Sequence, residues 1–372
     1  MNYYFDNNAT TQLSVDVSRA ITKSALYDYG NPSSIYSFGI RSKDLLEKSR
    51  ENVANFFSSK PSQIIFTSGA TESNNTIIHS ALLQNPNRRT ILYSAVEHSS
   101  VYFTLLHYQK LGYILQKIPV SEAGIDEKFI TNQLSSDVAL VTIMTVNNET
   151  GQIFPVNRIF DKVKQYDPQI ICHSDSVQAV GKTSISTHCI DYMSISAHKF
   201  HGPKGVGCIY KSLNMELYPL VFGGTQEKGL RPGTENISGI VGMGVAISNV
   251  SESNYDTINR LYNLTNIVEA SLSEYDSYIV CKESARVPGV INIGFSGIEA
   301  NTLLLKLNQY NIYVSTGSAC NSNNIGVSRI ISEMQIPEEY CSTIRISMSK
   351  FTTFDEVSYL IKKMKFILSK YK

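Results

Sequence analysis

Short apolar segments alternate with helix-like patterns along most of the chain. The longest of them, Val138–Val146, has no polar alternation, as expected for a strand that is buried on both faces of a sheet. The same reasoning predicts further strands at Gln63–Thr67, Thr90–Ser94, Gln169–His173, Tyr192–Ile195 and Gly207–Tyr210. Strands that alternate with helices predict an α/β fold with a mostly parallel sheet.

Two helical patterns follow these strands. The polar stretch 252–275 is expected to lead into a second, smaller domain. The stretch Phe354–Leu368 is amphipathic, with its apolar positions on one face at Val357, Leu360, Ile361, Met364, Ile367 and Leu368. We expect that face to pack against the protein itself and not against a membrane or a partner.

Composition and charge exclude several classes of function. The chain has 372 residues, of which 42% are hydrophobic, enough to fold without disulfide or metal staples. Its net charge is +1, from 33 basic and 32 acidic residues, so no direct attraction to nucleic acid is expected. No apolar run approaches the ~18 residues of a membrane span, and no secretory leader is recognisable. The expected location is cytoplasmic.

One of the six cysteines has an unusual setting. Cys320 lies among small polar residues in the segment Ser315–Ser322. Cys172 and Cys208 lie in strand-like segments and are expected to be buried, and burial is also favoured for Cys189 and Cys341. None has C-x-x-C spacing, so we expect neither a thiolate zinc site nor a redox pair, and no metal.

The segment Ser194–Gly205 contains the strongest chemical signal. Lys199 lies beside His198 and Ser196, directly after a predicted strand. A lysine amine can form a Schiff base with an aldehyde, and the two neighbours could bind a phosphate, which together indicate pyridoxal phosphate (PLP). The alternative is an ordinary solvated lysine.

Two residues upstream have possible roles in the same site. A carboxylate at Asp175 would keep the pyridine nitrogen of PLP protonated, and Gln178 could bind its phenolic oxygen. Asp175 could equally be a helix N-cap, and both roles can be true.

Other polar residues also follow predicted strands, where open α/β sheets bind ligands. Ala70 and Thr71 begin a helix after Gly69, and free N–H groups at such an end bind phosphate, although an ordinary polar cap is the alternative. His98 could stack on a pyridine ring or move protons, or could be a plain loop histidine. Asn148 could reach the phenolic oxygen.

An arginine in a late predicted strand is the last candidate. Arg345, within the alternating segment Thr343–Ser347, could bind a carboxylate through two N–H groups, but an arginine in a strand is more often an exposed edge residue. Nucleotide motifs are not matched: the glycines at 202–207 and 242–244 fit neither G-x-G-x-x-G nor a Walker signature.

Taken in order, these motifs resemble the cysteine desulfurases of the NifS/IscS group, in the class-V aminotransferase family. The resemblance runs nearly end to end and is specific because at least seven motifs occur in sequence. They are Phe5–Thr11, Tyr29–Ser34, Phe66–Glu72, Val146–Glu149, Ser196–Lys199, Arg231–Asn236, Ser315–Cys320 and Ile344–Ser347.

The resemblance implies a fold-type I PLP-dependent transferase that forms a homodimer. It implies a large domain over residues 14–254 with a seven-stranded sheet, and a small α+β domain formed by residues 1–13 and 255–372. The activity implied is conversion of L-cysteine to L-alanine, with the sulfur passed on as a persulfide. The acceptor would be a U-type iron–sulfur scaffold protein or a tRNA-thiolation enzyme.

Matching positions imply a role for each site residue. Lys199 would carry the cofactor, Cys320 would accept the sulfur, and His98 would stack on the ring. Asn148 and Arg345 would bind the substrate carboxylate. The remaining cofactor contacts implied are Ala70, Thr71, Asp175, Gln178, Ser196, His198 and, from the partner subunit, Thr234.

The chain departs from the family pattern at two small residues and at its end. Ser176 replaces the usual alanine and Pro232 a serine or alanine, while the stop at Lys372 leaves less chain for docking an acceptor. Two other functions stay open at this point. One is selenocysteine lyase or another class-V PLP enzyme in which Cys320 is incidental, and the other is a non-catalytic sulfur-transfer scaffold.

Overall fold

Seven of the strands assemble into one sheet. A computed structural model of the chain describes residues 2–252, 254–316 and 327–371. The strand order in this sheet is β2-β10-β9-β8-β7-β3-β4, where β2 is Ile64–Thr67, β3 Thr90–Ser94, β4 Ile114–Ile118, β7 Val138–Thr142, β8 Ile171–Asp175, β9 Tyr192–Ser196 and β10 Gly207–Lys211. Only β10 runs antiparallel to its neighbours, so the sheet is mixed. The predicted α/β fold with a seven-stranded, mostly parallel sheet is confirmed.

The other strands described form three small sheets. They are β1 (Tyr3–Tyr4), β5 (Val120–Ser121), β6 (Gly124–Ile125), β11 (Ser277–Ile279), β12 (Val290–Phe295), β13 (Ile312–Tyr313) and β14 (Thr343–Ser347). β11, β12 and β14 form an antiparallel sheet, β1 pairs with β13 in parallel, and β5 pairs with β6.

Eleven α-helices occur in the described part of the chain. They are α1 (Val15–Tyr27), α2 (Ser37–Phe56), α3 (Ala70–Gln84), α4 (Ser99–Lys110), α5 (Glu127–Gln133), α6 (Val156–Tyr166), α7 (Ile237–Glu252), α8 (Asn254–Leu272), α9 (Ala300–Asn308), α10 (Arg329–Glu333) and α11 (Phe354–Leu368). α11 coincides with the amphipathic stretch predicted from the sequence, and its face turns inward as expected: Val357, Leu360 and Met364 are fully buried. No described helix has the length and apolar character needed to cross a bilayer.

Apolar side chains form separate cores around the two larger sheets. Those on the seven-stranded sheet pack under α2, α3, α6 and α7. A second core joins β12 and β14 to α8, α9 and α11, and Phe5 from the start of the chain is fully buried in it. Ile330 and Ile331 of α10 pack into the first core, although they come late in the sequence. The domain limits given above stay a prediction.

A buried ion pair fixes an irregular segment against the edge strand of the large sheet. Glu227 lies in a 3₁₀ turn, Gln226–Gly229, and its two carboxylate oxygens accept hydrogen bonds from the Arg50 guanidinium at 2.6 and 2.7 Å. The same carboxylate accepts the backbone N–H of Phe66 at 3.0 Å, and Arg50 donates to the carbonyl of Ile64 at 2.9 Å. Each charged group is therefore held by several hydrogen bonds within the protein.

Replacing Glu227→Gln should destabilise the protein by about 3–5 kcal/mol, because it removes the buried counter-ion of Arg50 and leaves only a partly exposed carboxylate beside that charge. Urea unfolding at one fixed protein concentration measures this. Glu47→Gln is the matched control: Glu47 also contacts Arg50, at 3.2 Å, but its side chain is 48% exposed. The control should cost less than about 1 kcal/mol. Equal losses of unfolding free energy in the two variants would contradict a stabilising role for the buried Arg50–Glu227 pair.

Candidate active site

A cavity of about 600 Å³ opens where β7, β8 and β9 end, within the size range typical of ligand sites. Ten of the twelve site residues predicted from the sequence line it: Ala70, Thr71, His98, Asn148, Asp175, Gln178, Ser196, His198, Lys199 and Arg345. A wider cleft of about 1080 Å³ lies elsewhere, between Glu122 and Tyr278, and none of these ten residues is among the residues that line it. Side-chain chemistry and not volume therefore identifies the candidate site.

The other two predicted residues are not in this lining. Thr234 is exposed on the surface, beyond Gly233. Its segment is held by Arg231, whose guanidinium binds the Glu72 carboxylate of α3 at 2.9 and 3.3 Å. Cys320 lies outside the described residues.

One end of the cavity is suited to an anion. Helix α3 begins at Ala70, so the N–H groups of its first turn have no partner within the helix and point toward the cavity. Gly69, at φ +153°, leads into that turn, and Gly207 on β10 lies so close that a β-carbon there would meet the Gly69 α-carbon at 2.8 Å. Only glycine at 207 allows this approach, which places the turn beside the buried hydroxyl of Ser196.

The imidazole of His198 lies at the same end. Its Nδ1 is 3.1 Å from the Thr10 hydroxyl. Burial, and then the positive charges of Lys199 and Lys204, lower the pKa of His198 to about 4. An anion bound here would offset that positive potential. Lys204 itself is exposed in a turn, as the sequence indicated.

A chain of buried hydrogen bonds fixes the carboxylate of Asp175 at the end of β8. One oxygen accepts from the Asn74 amide at 2.8 Å and the other from the backbone N–H of Val177 at 3.0 Å. Residues 177–182 form a turn and not a helix, so Asp175 caps a turn and the helix N-cap considered above is wrong. Asn74 also donates to the Ser100 hydroxyl at 2.8 Å and accepts from Ser194 at 2.5 Å. The carboxylate is thus held in one orientation. Neither Asn74 nor Ser194 was singled out from the sequence.

The same chain of bonds extends to His98. Its Nδ1 lies 2.8 Å from the Ser100 hydroxyl and accepts the Ser100 backbone N–H, so the histidine caps α4. Burial lowers the pKa of His98; the negative charge of Asp175 opposes this, and the charges of Lys199 and Arg329 add to it. The ring is consequently neutral near pH 7. A neutral ring can stack on an aromatic ligand or accept a proton.

The amine of Lys199 contacts the beginning of the chain. Its Nζ donates to the backbone carbonyls of Asn8 and Ala9 at 2.6 and 2.8 Å. Gln178 donates to the same Asn8 carbonyl at 3.0 Å. Lys182 donates to the Gln178 side-chain oxygen at 2.6 Å and to that of Asn8 at 2.7 Å. Lys182 therefore fixes which way the Gln178 amide faces.

Lys182 and Asn8 were not identified as site residues from the sequence. Burial, and then the positive charges of Lys199 and Arg345, lower the pKa of Lys182 to about 7. The spacing of Lys182 four residues after Gln178 was the only available signal, since one helical turn would bring the two side chains together.

Arg345 is buried, at 3% exposure, so the alternative of an exposed edge residue is wrong. Its Nη2 binds Asp6 at 2.6 Å and its Nη1 donates to the Asn148 carbonyl at 3.0 Å. The Arg345 Nε and the Asn148 side-chain oxygen are buried and have no hydrogen-bond partner among the residues that the structure describes. A buried donor and acceptor without partners at one cavity wall indicate a polar ligand there.

The donor set fits pyridoxal phosphate. It offers a lysine amine for the aldehyde, a fixed carboxylate for the pyridine nitrogen, an amide for the phenolic oxygen, and a helix end with a buried hydroxyl for the phosphate. Each group of the cofactor thus has a partner of the opposite character, while Arg345 and Asn148 remain available for an amino-acid substrate.

Comparison with known proteins points in the same direction. Residues 3–360 match the family described as aminotransferase class-V. The chain is 41% identical to a cysteine desulfurase of Enterobacter agglomerans over 99% of this chain and 93% of that protein. It is 37% identical to the cysteine desulfurase IscS of Dictyoglomus turgidum, over 99% and 94% of the two chains. A solved structure described as a NifS-like protein superposes with a TM-score of 0.94 at 35% identity, covering 99% of this chain and all of that one.

A buried carboxyl beside His98 should make stability depend on pH. Burial, and then the charge of Asp175, raise the pKa of Glu97 from 4.5 to about 8. The folded protein keeps a proton on Glu97 that the unfolded chain releases, so this contribution is complete below about 4.5 and is lost as pH rises through about 8. Glu97→Gln should therefore flatten the fall in thermal midpoint over this range. The control Glu338→Gln, at an exposed carboxyl, should leave the slope of thermal midpoint against pH unchanged. An unchanged slope in Glu97→Gln would refute the buried proton.

Proposed function

The chain belongs to the class-V aminotransferase family and is a PLP-dependent cysteine desulfurase, and we propose that Lys199 binds its cofactor and Cys320 receives the sulfur. The observation that supports the first part best is the convergence of Lys199, Asp175 and His98 on one cavity with the anion-suited end of α3. When bound, PLP supplies an electron sink for the bond changes at the substrate.

Side chains of the cavity would orient the cofactor, bind the substrate and transfer its α-proton. Asp175, fixed by Asn74, would hold the pyridine nitrogen in its protonated state. Arg345 would donate to the substrate carboxylate through its buried Nε–H, which has no partner among the described residues, and Asn148 would donate through its side-chain amide N–H groups. Lys199 or the neutral imidazole of His98 would take the α-proton of the substrate.

Sulfur transfer then needs one nucleophile. The thiolate of Cys320 would attack the substrate sulfur, so that an S–S bond forms, the C–S bond breaks and the carbon skeleton leaves as L-alanine. The products balance: L-cysteine and a thiol give L-alanine and a persulfide.

The segment that contains Cys320 is anchored beside the cavity at both ends. Ser315 exchanges two backbone hydrogen bonds with Arg345, at 2.6 and 3.1 Å. On the far side, Ser328 donates to Glu149 at 2.7 Å, and Arg329 binds the carbonyls of Ala95 and Glu97. The five residues from Ser315 to Cys320 can span up to about 18 Å, so chain length does not prevent the proposed attack.

We also infer a homodimer in which Thr234 of one subunit contacts the phosphate held by the other. Thr234 is exposed in its own chain and lies at the end of a segment that Arg231 and Glu227 hold in place. Large apolar side chains are also exposed on the described surface: Tyr29 is 73%, Ile35 93% and Phe222 88% exposed. Such side chains are typical of a surface that a partner covers.

Other parts of the proposal rest on the chemistry and on the relatives. The large domain would comprise residues 14–254, and the small one residues 1–13 and 255–372. The sulfur would pass to an acceptor protein, either a U-type iron–sulfur scaffold or a tRNA-thiolation enzyme. A thiol at Cys320 needs a reducing compartment, which supports a cytoplasmic location.

The cofactor should be attached to Lys199. The protein with bound cofactor should be yellow, and its reduction with borohydride, followed by peptide mass mapping, should find the pyridoxyl group on that residue. Lys199→Ala should lose the label, whereas Lys204→Ala, which removes an exposed lysine of the same motif, should keep it. A label on Lys204 would overturn the assignment.

Cys320→Ala should separate cofactor binding from sulfur transfer. The variant should retain its bound PLP, because the contacts described for the cofactor lie in other segments, yet alanine release from L-cysteine should fall to the level of free PLP. Cys341→Ala is the matched control and should keep the parent rate. Alanine production by Cys320→Ala at the parent rate would show that Cys320 is not the nucleophile, and the same assay with selenocysteine tests the lyase alternative.

A further inference from the structure

Three side chains capable of binding a metal meet on the surface away from the PLP cavity. Asp161 lies on α6, while His188 and Cys189 lie in the loop between β8 and β9. The Cys189 Sγ is 3.3 Å from the His188 Nε2 and 3.6 Å from the Asp161 Oδ1. The third distance, from His188 Nε2 to Asp161 Oδ1, is 3.7 Å. Burial had been expected for Cys189, but the residue is only half-buried.

These separations match one face of a tetrahedral zinc site. With Zn–S near 2.3 Å, Zn–N near 2.05 Å and Zn–O near 2.1 Å, tetrahedral angles require S···N and S···O separations of ~3.6 Å and an N···O separation of ~3.4 Å. The observed distances differ from these by at most about 0.3 Å. One ion could therefore contact all three atoms with only small rotations of the side chains.

The backbone holds the three ligand residues in place. The side-chain amide of Asn157 on α6 donates to the backbone carbonyls of Ser186 and His188 at 3.1 and 2.6 Å, which holds the loop against the helix. Cys189 adopts φ +58°, a region that side-chain-bearing residues rarely occupy, and the next residue, Ile190, is buried in the core. The loop conformation is thus fixed by contacts other than those within the cluster.

The electrostatic surroundings allow a cation. The second carboxylate oxygen of Asp161 accepts from Gln165 at 2.8 Å, which leaves the Oδ1 facing the sulfur and the imidazole. The nearby Lys164 amine is already paired with Asp191 at 2.5 Å and donates to the Ile170 carbonyl at 2.7 Å. A thiolate and a carboxylate would together balance the charge of a divalent ion.

We propose that Asp161, His188 and Cys189 form a binding site for a divalent metal ion of the zinc class, with water in the fourth position. Thiolate, imidazole and carboxylate are the ligands zinc takes in proteins. The side chain of His188 is 70% exposed and that of Asp161 44%, so the ion would exchange with solvent. It would join α6 to the loop that leads into β9. The site was not expected from the sequence because it has no C-x-x-C spacing and its ligands meet only in the fold.

Cobalt substitution tests the site. Chelator-treated full-length holoprotein is titrated with Co²⁺, and the visible d–d bands are read at wavelengths longer than those the yellow cofactor absorbs. One equivalent per chain should give tetrahedral-type bands, and Zn²⁺ should displace them. Cys189→Ala and Asp161→Asn should each weaken binding by more than the ~10–100-fold that loss of an outer-shell partner costs. Cofactor content and thermal midpoint verify that the variants are folded.

Two control variants exclude other thiols. Cys341→Ala removes another half-buried cysteine, and Cys320→Ala removes the proposed sulfur acceptor. Both should bind Co²⁺ as the parent does. Bands that survive in Cys189→Ala, bands that disappear in Cys320→Ala, or no tetrahedral bands at all would each overturn the proposal.

Discussion

The polar groups of Asn8 connect the parts of the active-site cavity. Its carbonyl accepts from Lys199 and Gln178, its side-chain oxygen accepts from Lys182, and its amide donates to the Asn148 carbonyl at 3.0 Å. Buried polar groups must be paired, so removal of this one residue from its position would leave several donors and acceptors unsatisfied at once. The geometry of the cavity depends on a short segment near the start of the chain lying across the ends of the sheet strands.

A second set of interactions fixes the anion-binding end. Glu72 joins the first turn of α3 to Arg231, and it also accepts the Ser68 backbone N–H at 2.8 Å. Burial raises the pKa of Glu72, but the hydrogen bonds to Arg231 and Ser68 outweigh it and leave the pKa below its ordinary value. Four residues before Arg231, Glu227 joins the same segment to Arg50. The cofactor end and the exposed Thr234 are thus parts of one connected structure, which would couple cofactor binding to dimer formation.

The features that the sequence predicted are those encoded locally. Lys199, His198 and Ser196 lie within one motif, and β3 and β14 have the limits that their apolar patterns indicate. The features that it missed depend on distant segments. Lys182 has the pattern of a solvated lysine until residue 8 lies against it. Arg345 was a candidate site residue, but the pattern around it could not distinguish a buried arginine from an exposed edge residue, because Asp6 pairs with it only in the fold. The Asp161–His188–Cys189 cluster likewise exists only because a loop is tied to α6.

The pairing of residues 5–8 with β14 also determines when the site can form during biosynthesis. The Asn7 side chain binds the Ser347 carbonyl at 2.8 Å, across 340 positions of sequence, and β1 pairs with β13. The contacts of Asp6 and Asn148 with Arg345 therefore cannot form until the ribosome has released β14. Contacts between such distant parts of a chain close slowly and late. A nascent chain can build the large sheet before the Arg345 side of the pocket exists, so a product truncated before β14 would lack a complete pocket.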